Sequence, residues 1–525
     1  MRNVFPNPHS NTNMRFIHKR ITPARHNYTP LVNNELTDTG AWKARLVKQL
    51  PPHDASPFNQ RIRDYLIEDD KSDLSSLVCE CMKHGNVDVL TYILANEDIK
   101  SLHIEGPISG RGWKALAKAI PDALHATELT VSKDGFDAYK CKQLFRVLKH
   151  MPELQKISLS KVTEEGGILF DQLECPDLPE LVDLDVFAKS DPKAGGFRLP
   201  LKILRACKVQ RLSIEESGAI SIDKHLQLAK LLPEQTLLDS LRLKIEHRDT
   251  PKQFECYMPF LCGETPTPLV HLDLSSCCIG AYNLNQLLEA LPQTQSALAS
   301  LSLSRCGVAR HKKHGETIGI NLLPLAGMNS LAHLDLSDNL LPPEPTVALL
   351  AELQKTPNRL EILNLNRNLI SKNTYSAMAS FLRDNETLRR LSFEPSLSQA
   401  NLHDEVGVLN ELVGAMEQNK CLLELEFHWS WPIDEHRASV DAYLDRNRKQ
   451  AFMDAASQTA AAFVMPRLLM GPEDQEEFLN RRQLPKEFVR HIIGQGLSEQ
   501  DALTLSSLNK ATREAHEEFL RKAGS

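Results

Sequence analysis

Two stretches of this 525-residue chain carry the three side chains of a hydrolase triad at alternate positions, His271-Asp273-Ser275 and His333-Asp335-Ser337. In a working triad an imidazole takes the hydroxyl proton while the carboxylate orients the ring. On an extended strand residues i and i+2 share a face but lie about 6.6 to 6.8 Å apart along it, too far for those direct hydrogen bonds. The spacing therefore predicts two similar surface patches and no nucleophile. Cys79, Cys81 and His84 suggest a metal site. On a helix, however, positions two apart point roughly 200 degrees away from each other, so the two thiols cannot converge on one ion. No catalytic residue, metal or cofactor is expected.

The elements that hold these residues are legible from a repeated phrase, Leu-x-x-Leu-x-Leu-x-x-(Cys/Asn). It reads Leu269-Leu272-Leu274-Cys277, Leu298-Leu301-Leu303-Cys306, Leu331-Leu334-Leu336-Asn339 and Leu360-Leu363-Leu365-Asn368. Alternation along a strand turns Leu272 and Leu274 into a core and His271, Asp273 and Ser275 outward. The Cys or Asn stands where the strand bends away and can satisfy backbone groups left by the bend. A segment of helical spacing follows, as in Thr374 to Leu382. The central position recurs upstream at Leu102, Leu129, Ile157, Leu184, Leu212 and Leu241, and downstream at Leu391 and Leu425. The intervals are roughly 27 to 34 residues, and one such unit cannot bury its own apolar face, so neighbours must stack.

On these residues the chain resembles the leucine-rich repeat family, in its ribonuclease-inhibitor-like class. The resemblance spans about residues 95 to 450 and implies an α/β horseshoe solenoid of about twelve units, with parallel strands inside and helices outside. The expected organisation is a disordered basic leader over 1–57, a helical N-terminal cap over 58–96, repeats over 97–450 and a helical C-terminal segment over 451–525. The leader contains no acid before Glu35 and several prolines, which suits disorder better than an amphipathic transit helix. A secretion signal for a bacterial injection apparatus remains an alternative.

Composition narrows the function classes. A formal net charge of -7 gives no sign of nucleic-acid binding. Eleven cysteines without paired spacing read as free thiols in a reducing, cytoplasmic compartment. No run of eighteen apolar residues predicts a membrane span. The outward strand positions form a mixed polar concave surface suited to a partner protein. Phe187, Arg211 and Arg242 are its expected anchors. Asp273 and Asp335 share that surface, and Trp429 and Trp431 mark its C-terminal end.

Residues 484–520 resemble an F-box, through Leu484-Pro485, Phe488, Ile492, Leu497 and the helical spacing of Leu503, Leu505 and Leu508. The resemblance implies contact with the adaptor subunit of a cullin ubiquitin ligase through Leu484, Pro485, Ile492 and Leu497. The chain would then be a substrate adaptor, and with its leader it resembles secreted bacterial effectors. Ligases of similar outline that use their own nucleophilic cysteine carry it after the repeats, and here no cysteine follows Cys421. A GTPase-activating role, known for one branch of the repeat class, would need an Asn or Arg over the nucleotide, and none is singled out.

Overall fold

The computed structural model describes residues 39–50, 56–68, 74–120, 124–132, 137–162, 174–189, 198–217, 222–246, 252–263, 269–306, 312–313, 316–317, 319–393, 405–427 and 434–469. The chain divides into two units, Met1–Asp73 and Leu74–Ser525. In the first, α1 (Thr39–Gln49) and α2 (Pro57–Glu68) pack on one another. Inside the segment expected to be leader, α1 is helical because Trp42 and Leu46 recur at helical spacing, and both are buried.

The second unit opens with α3 (Leu74–His84) and α4 (Val87–Asn96). Strands and helices then follow one another, with no described helix between β3 and β4: β1 (Ser101–Glu105), α5 (Gly110–Ala119), β2 (Glu128–Ser132), α6 (Ala138–Leu148), β3 (Lys156–Val162) and β4 (Asp183–Lys189). There follow α7 (Arg198–Ala206), β5 (Arg211–Ser217), α8 (Ile222–Leu231), β6 (Ser240–Glu246), α9 (Lys252–Glu255), α10 (Met258–Leu261) and β7 (His271–Asp273). Next come α11 (Ala281–Thr294), β8 (Ser300–Ser302), the short strands β9 (Lys312–Lys313) and β10 (Glu316–Thr317), and β11 (His333–Asp335). The remaining elements are α12 (Pro343–Lys355), β12 (Ile362–Asn364), α13 (Lys372–Asp384), β13 (Arg390–Phe393), α14 (Glu405–Gln418), β14 (Glu424–Phe427) and α15 (Asp434–Leu469).

Strands β1 to β8 and β11 to β14 form one 12-stranded sheet in sequence order, and every pairing is parallel. Leu102, Leu129, Ile157, Leu184, Leu212, Leu241, Leu272, Leu301, Leu334, Leu363, Leu391 and Leu425 stand in a single register row. This is the leucine-rich repeat solenoid that the phrase predicts. Two repeats depart from the pattern among the described residues: 174–182, between β3 and β4, form no helix, and the described residues between β8 and β11 hold the β9–β10 hairpin and a 3-10 turn, Leu323–Gly327, in place of an α-helix.

The bend after each strand has a common chemistry. Ser276, Arg305, Asp338 and Arg367 take left-handed φ values of 64, 58, 57 and 57 degrees at the same repeat position, which delivers the next residue inward. There Asn339 Nδ2 donates to Leu303 O at 2.7 Å and Leu336 O at 3.0 Å, while its Oδ1 accepts from Cys306 N at 2.8 Å. Asn368 bonds Leu336 O at 2.9 Å and accepts from Asn339 N at 3.3 Å. Where the residue is Cys, the thiol reaches one strand carbonyl: Cys277 to Leu243 O at 3.1 Å and Cys306 to Leu274 O at 3.3 Å. Buried backbone groups at each bend are thereby satisfied.

Helices pack at both ends of the stack. At the start, α3 lies along β1, and Cys79 Sγ donates to His103 O at 3.4 Å and accepts from Glu105 N at 3.3 Å. The Cys79 thiol, which helix geometry already excluded as a metal ligand with Cys81, is thus a cap on the sheet. Nearby, α5 approaches α3 so closely that a Cβ at Gly112 would stand 2.6 Å from Met82 O. At the far end Arg446 of α15 donates to Glu417 O at 2.8 Å, Met416 O at 3.2 Å and Asn419 O. These are carbonyls that the end of α14 leaves over. Asn447 bonds Leu422 O at 2.9 Å, taking the place of a further repeat asparagine. The helix continues through the expected boundary at 450 to Leu469, because Ala455, Ala456 and Ala460 to Ala462 favour helix.

Candidate functional site

The concave face is built from three rows of side chains, one residue before, one after and three after each central leucine. Strands β4 to β7 use their charges on one another. Arg211 Nε meets Asp183 Oδ2 at 3.1 Å, Arg242 Nε meets Asp273 Oδ2 at 3.1 Å, and Lys244 Nζ meets Glu215 Oε1 at 2.6 Å. The expected anchors Arg211 and Arg242 therefore lie within cross-strand ion pairs, although each side chain keeps 51% of its exposure. Phe187 sits half-buried on β4, beside Glu215 of β5 in register.

From β7 to β12 the surface changes character. Ser275 Oγ and Ser302 Oγ are 2.8 Å apart, Ser304 Oγ and Ser337 Oγ 2.9 Å, and Ser302 Oγ donates to Asp335 Oδ2 at 3.5 Å. Asn364 and Asn366 extend these rows, and His271 and His333 stand exposed on the strands either side of Ser300. The face is here a field of hydroxyl, carboxamide and imidazole groups with the carboxylates Asp273 and Asp335 among them. On β13 and β14 charge returns with the pair Arg390–Glu424.

Contrary to the expectation for a straight strand, Asp273 and Ser275 do meet. Asp273 Oδ1 accepts from Ser275 N at 2.9 Å and also from Ser275 Oγ. The strand ends at Asp273 and the backbone curls to Ser276 at positive φ, so the separation of a straight strand does not apply. On the edge strand Ser101 Oγ lies 2.8 Å from His103 Nε2 and 3.2 Å from Glu128 Oε2. In each case the hydroxyl binds the carboxylate itself. The carboxylate does not orient an imidazole against the hydroxyl, which is the arrangement that activates a serine.

A buried polar network lies outside any expectation drawn from the sequence. His225 Nδ1 is 2.8 Å from Tyr257 Oη, and its Nε2 is 3.4 Å from Glu216 Oε2. All three residues are buried. Burial, followed by the nearby Glu216 carboxylate, holds the Tyr257 phenol well above its usual range. The signal was present in the alternation, since Glu216 occupies an inward position of β5 after Leu212 and Ile214. The network joins β5, α8 and the segment between α9 and α10, behind the sheet.

Thiols are suited to structure rather than nucleophilic attack. Burial pushes Cys207 and Cys277 up to about 12, and Cys175 and Cys262 up to about 11. Among the described residues no group of three or more His, Cys, Asp or Glu is arranged to hold a metal ion. No described helix is long and apolar enough to cross a membrane. Trp429, Trp431, Leu484, Pro485, Ile492 and Leu497 lie outside the described residues.

No family model matches the chain, and no curated protein matches it. Among solved structures, one titled "Leiomodin-1 Actin-Binding Site 2 (ABS2)" is similar at 16% identity and a TM-score of 0.27, covering 33% of this chain and 95% of that one. A tropomodulin C-terminal domain from Caenorhabditis elegans is similar at 15% identity and a TM-score of 0.27, covering 32% of this chain and 95% of that one.

Proposed function

We propose that the protein is a non-catalytic recognition scaffold whose concave face binds a partner protein. The observation that supports this most is the contrast along the sheet. Strands β4 to β7 spend their cations on their own carboxylates. Strands β7 to β12 carry mostly hydroxyl and carboxamide groups, with serine hydroxyls bonded across the strands and His271 and His333 exposed among them. Such a surface suits many weak polar contacts around a few apolar anchors, Phe187 on β4 and the half-buried Ile362 of β12, which stands beside His333 in register. Its thiols suit a reducing compartment. The test is quantitative affinity enrichment with wild type, the concave variant Ser302→Arg/Asn364→Arg and the outer-face control Lys355→Glu. A partner lost only from the concave variant supports the reading, and equal recovery with all three overturns it.

A sharper reading rests on residues 484–520 alone. There Leu484, Pro485, Ile492 and Leu497 match the F-box positions that grip a cullin-ligase adaptor. The protein would then present a concave-bound substrate for ubiquitination, acting inside a eukaryotic cell as a delivered bacterial effector. A pull-down with purified adaptor, comparing wild type with Leu484→Ala/Pro485→Ala, decides this. Binding lost in the double variant supports it, and no binding by the wild type overturns it.

A further inference from the structure

The two ends of the sheet are finished differently. At β1 the outward edge meets Cys79, whose sulfur both donates to His103 O and accepts from Glu105 N. At β14 the cap made by α15 stops at the start of the strand, where Arg448 Nε takes Leu423 O at 2.8 Å. In the preceding strand the equivalent carbonyl, Arg389 O, accepts Leu423 N at 2.8 Å and Glu424 N at 3.1 Å from the next strand. Continued by one register step, this pattern turns the N–H and C=O of Leu425 away from β13. Among the described residues no strand lies beyond them. Leu425 is also half-buried, whereas the other eleven residues of the central row are at most 2% exposed. An edge of this kind is a template for one more strand.

The side chains say which strand fits. Glu424, ion-paired with Arg390 of β13, and Glu426, which is exposed, flank Leu425 on the concave side. A second copy pairing antiparallel about Leu425 would set Glu424 against Glu426, and a parallel copy would set each glutamate against itself. Like charges directly opposite one another on paired strands are destabilising. We propose that β14 docks an extended segment of a partner protein that carries Lys or Arg on both sides of an apolar residue. The apolar side chain extends the leucine row beyond Leu425, the basic side chains face Glu424 and Glu426, and main-chain hydrogen bonds to Leu425 fix the register. This proposal rests on the backbone of β14 and does not depend on what occupies β7 to β12.

The test uses the full chain and a fluorescein-labelled seven-residue peptide of alternating lysine and valine, followed by anisotropy. A second peptide carries N-methyl groups at its three central residues, which keeps its charge and removes the main-chain donors to Leu425 in either strand direction. The expected result is binding of the first peptide, weakened about tenfold both by N-methylation and by Glu426→Lys. Hydrogen exchange should then show protection at Leu425. Ser302→Arg/Asn364→Arg should bind the peptide like wild type, so failure of the concave reading and failure of this one are distinguishable. Equal binding of both peptides would overturn the proposal, since charge alone would explain it. Absence of binding, or self-association of the wild type through β14, would overturn it too.

Discussion

Asn339→Ala probes the internal chemistry of the stack at its most informative point. The Asn339 side chain is 2% exposed and makes three hydrogen bonds to backbone, at 2.7, 3.0 and 2.8 Å. Alanine leaves Leu303 O and Cys306 N buried without that partner, while Leu336 O loses one of two donors and keeps Asn368. At about 1 to 1.5 kcal/mol for each lost bond, with some added desolvation, the expected cost is about 3–5 kcal/mol. The chain contains its own intermediate case. At Cys277 and Cys306 a thiol serves the same position and reaches one strand carbonyl. Asn339→Cys should therefore cost less, about 2 kcal/mol. Urea unfolding followed by circular dichroism gives both values, and hydrogen exchange should show opening at Cys306 and along β8 and β11. Exchange should spread from there to neighbours, since each repeat contacts only those beside it. A cost below about 1 kcal/mol for Asn339→Ala, or alanine and cysteine variants of equal stability, would refute the reasoning.

Further outcomes follow from other parts of the fold. Arg446→Ala should destabilise by about 2–3 kcal/mol through carbonyls of α14 left without a charged donor, seen as faster exchange at the end of α14. Arg446→Lys should recover only part of this, because an ammonium lacks the planar fork. Cys277 is raised from 9.0 to about 12 by burial, so its neutral form contributes stability in full below pH 9. That contribution is lost as pH rises from 9 towards 12, by about 1.4 kcal/mol per pH unit, and Cys277→Ala should flatten this slope in urea titrations at pH 9 to 11. Gly112→Ala should lower the melting temperature, since its Cβ would stand 2.6 Å from Met82 O. Arg242→Ala should change stability by less than about 1 kcal/mol, because half of its side chain faces solvent.

The repeat was legible because each turn of the solenoid obeys the same two demands, alternate leucines for the core and an inward Cys or Asn at the bend. All twelve central positions read from spacing form one register row. What escaped the reading lies where local geometry departs from the ideal element. Asp273 reaches Ser275 because the strand ends there and Ser276 turns left-handed. In the sequence between β8 and β11 Gly307, Gly315 and Gly319 break the helical spacing, and among the described residues a 3-10 turn stands where a helix was expected. Helix α1 was hidden because Trp42 and Leu46 are sparse apolar points in a polar stretch. On the concave face the sequence names Arg211 and Arg242, but only register shows that Asp183 and Asp273 stand opposite them. The Glu216–His225–Tyr257 network joins residues from separate repeats, so spacing alone could not assemble it.

Site-specific photo-crosslinking tests the central claim most directly. A photoreactive amino acid is placed at Ser302, in the middle of the concave face, or at Lys355 on α12, and the protein is irradiated in cells under reducing cytoplasmic conditions. Recognition by the concave face predicts a discrete protein adduct from position 302 that is absent from position 355. Adducts of the same protein and yield from both positions, or from 355 alone, would contradict it.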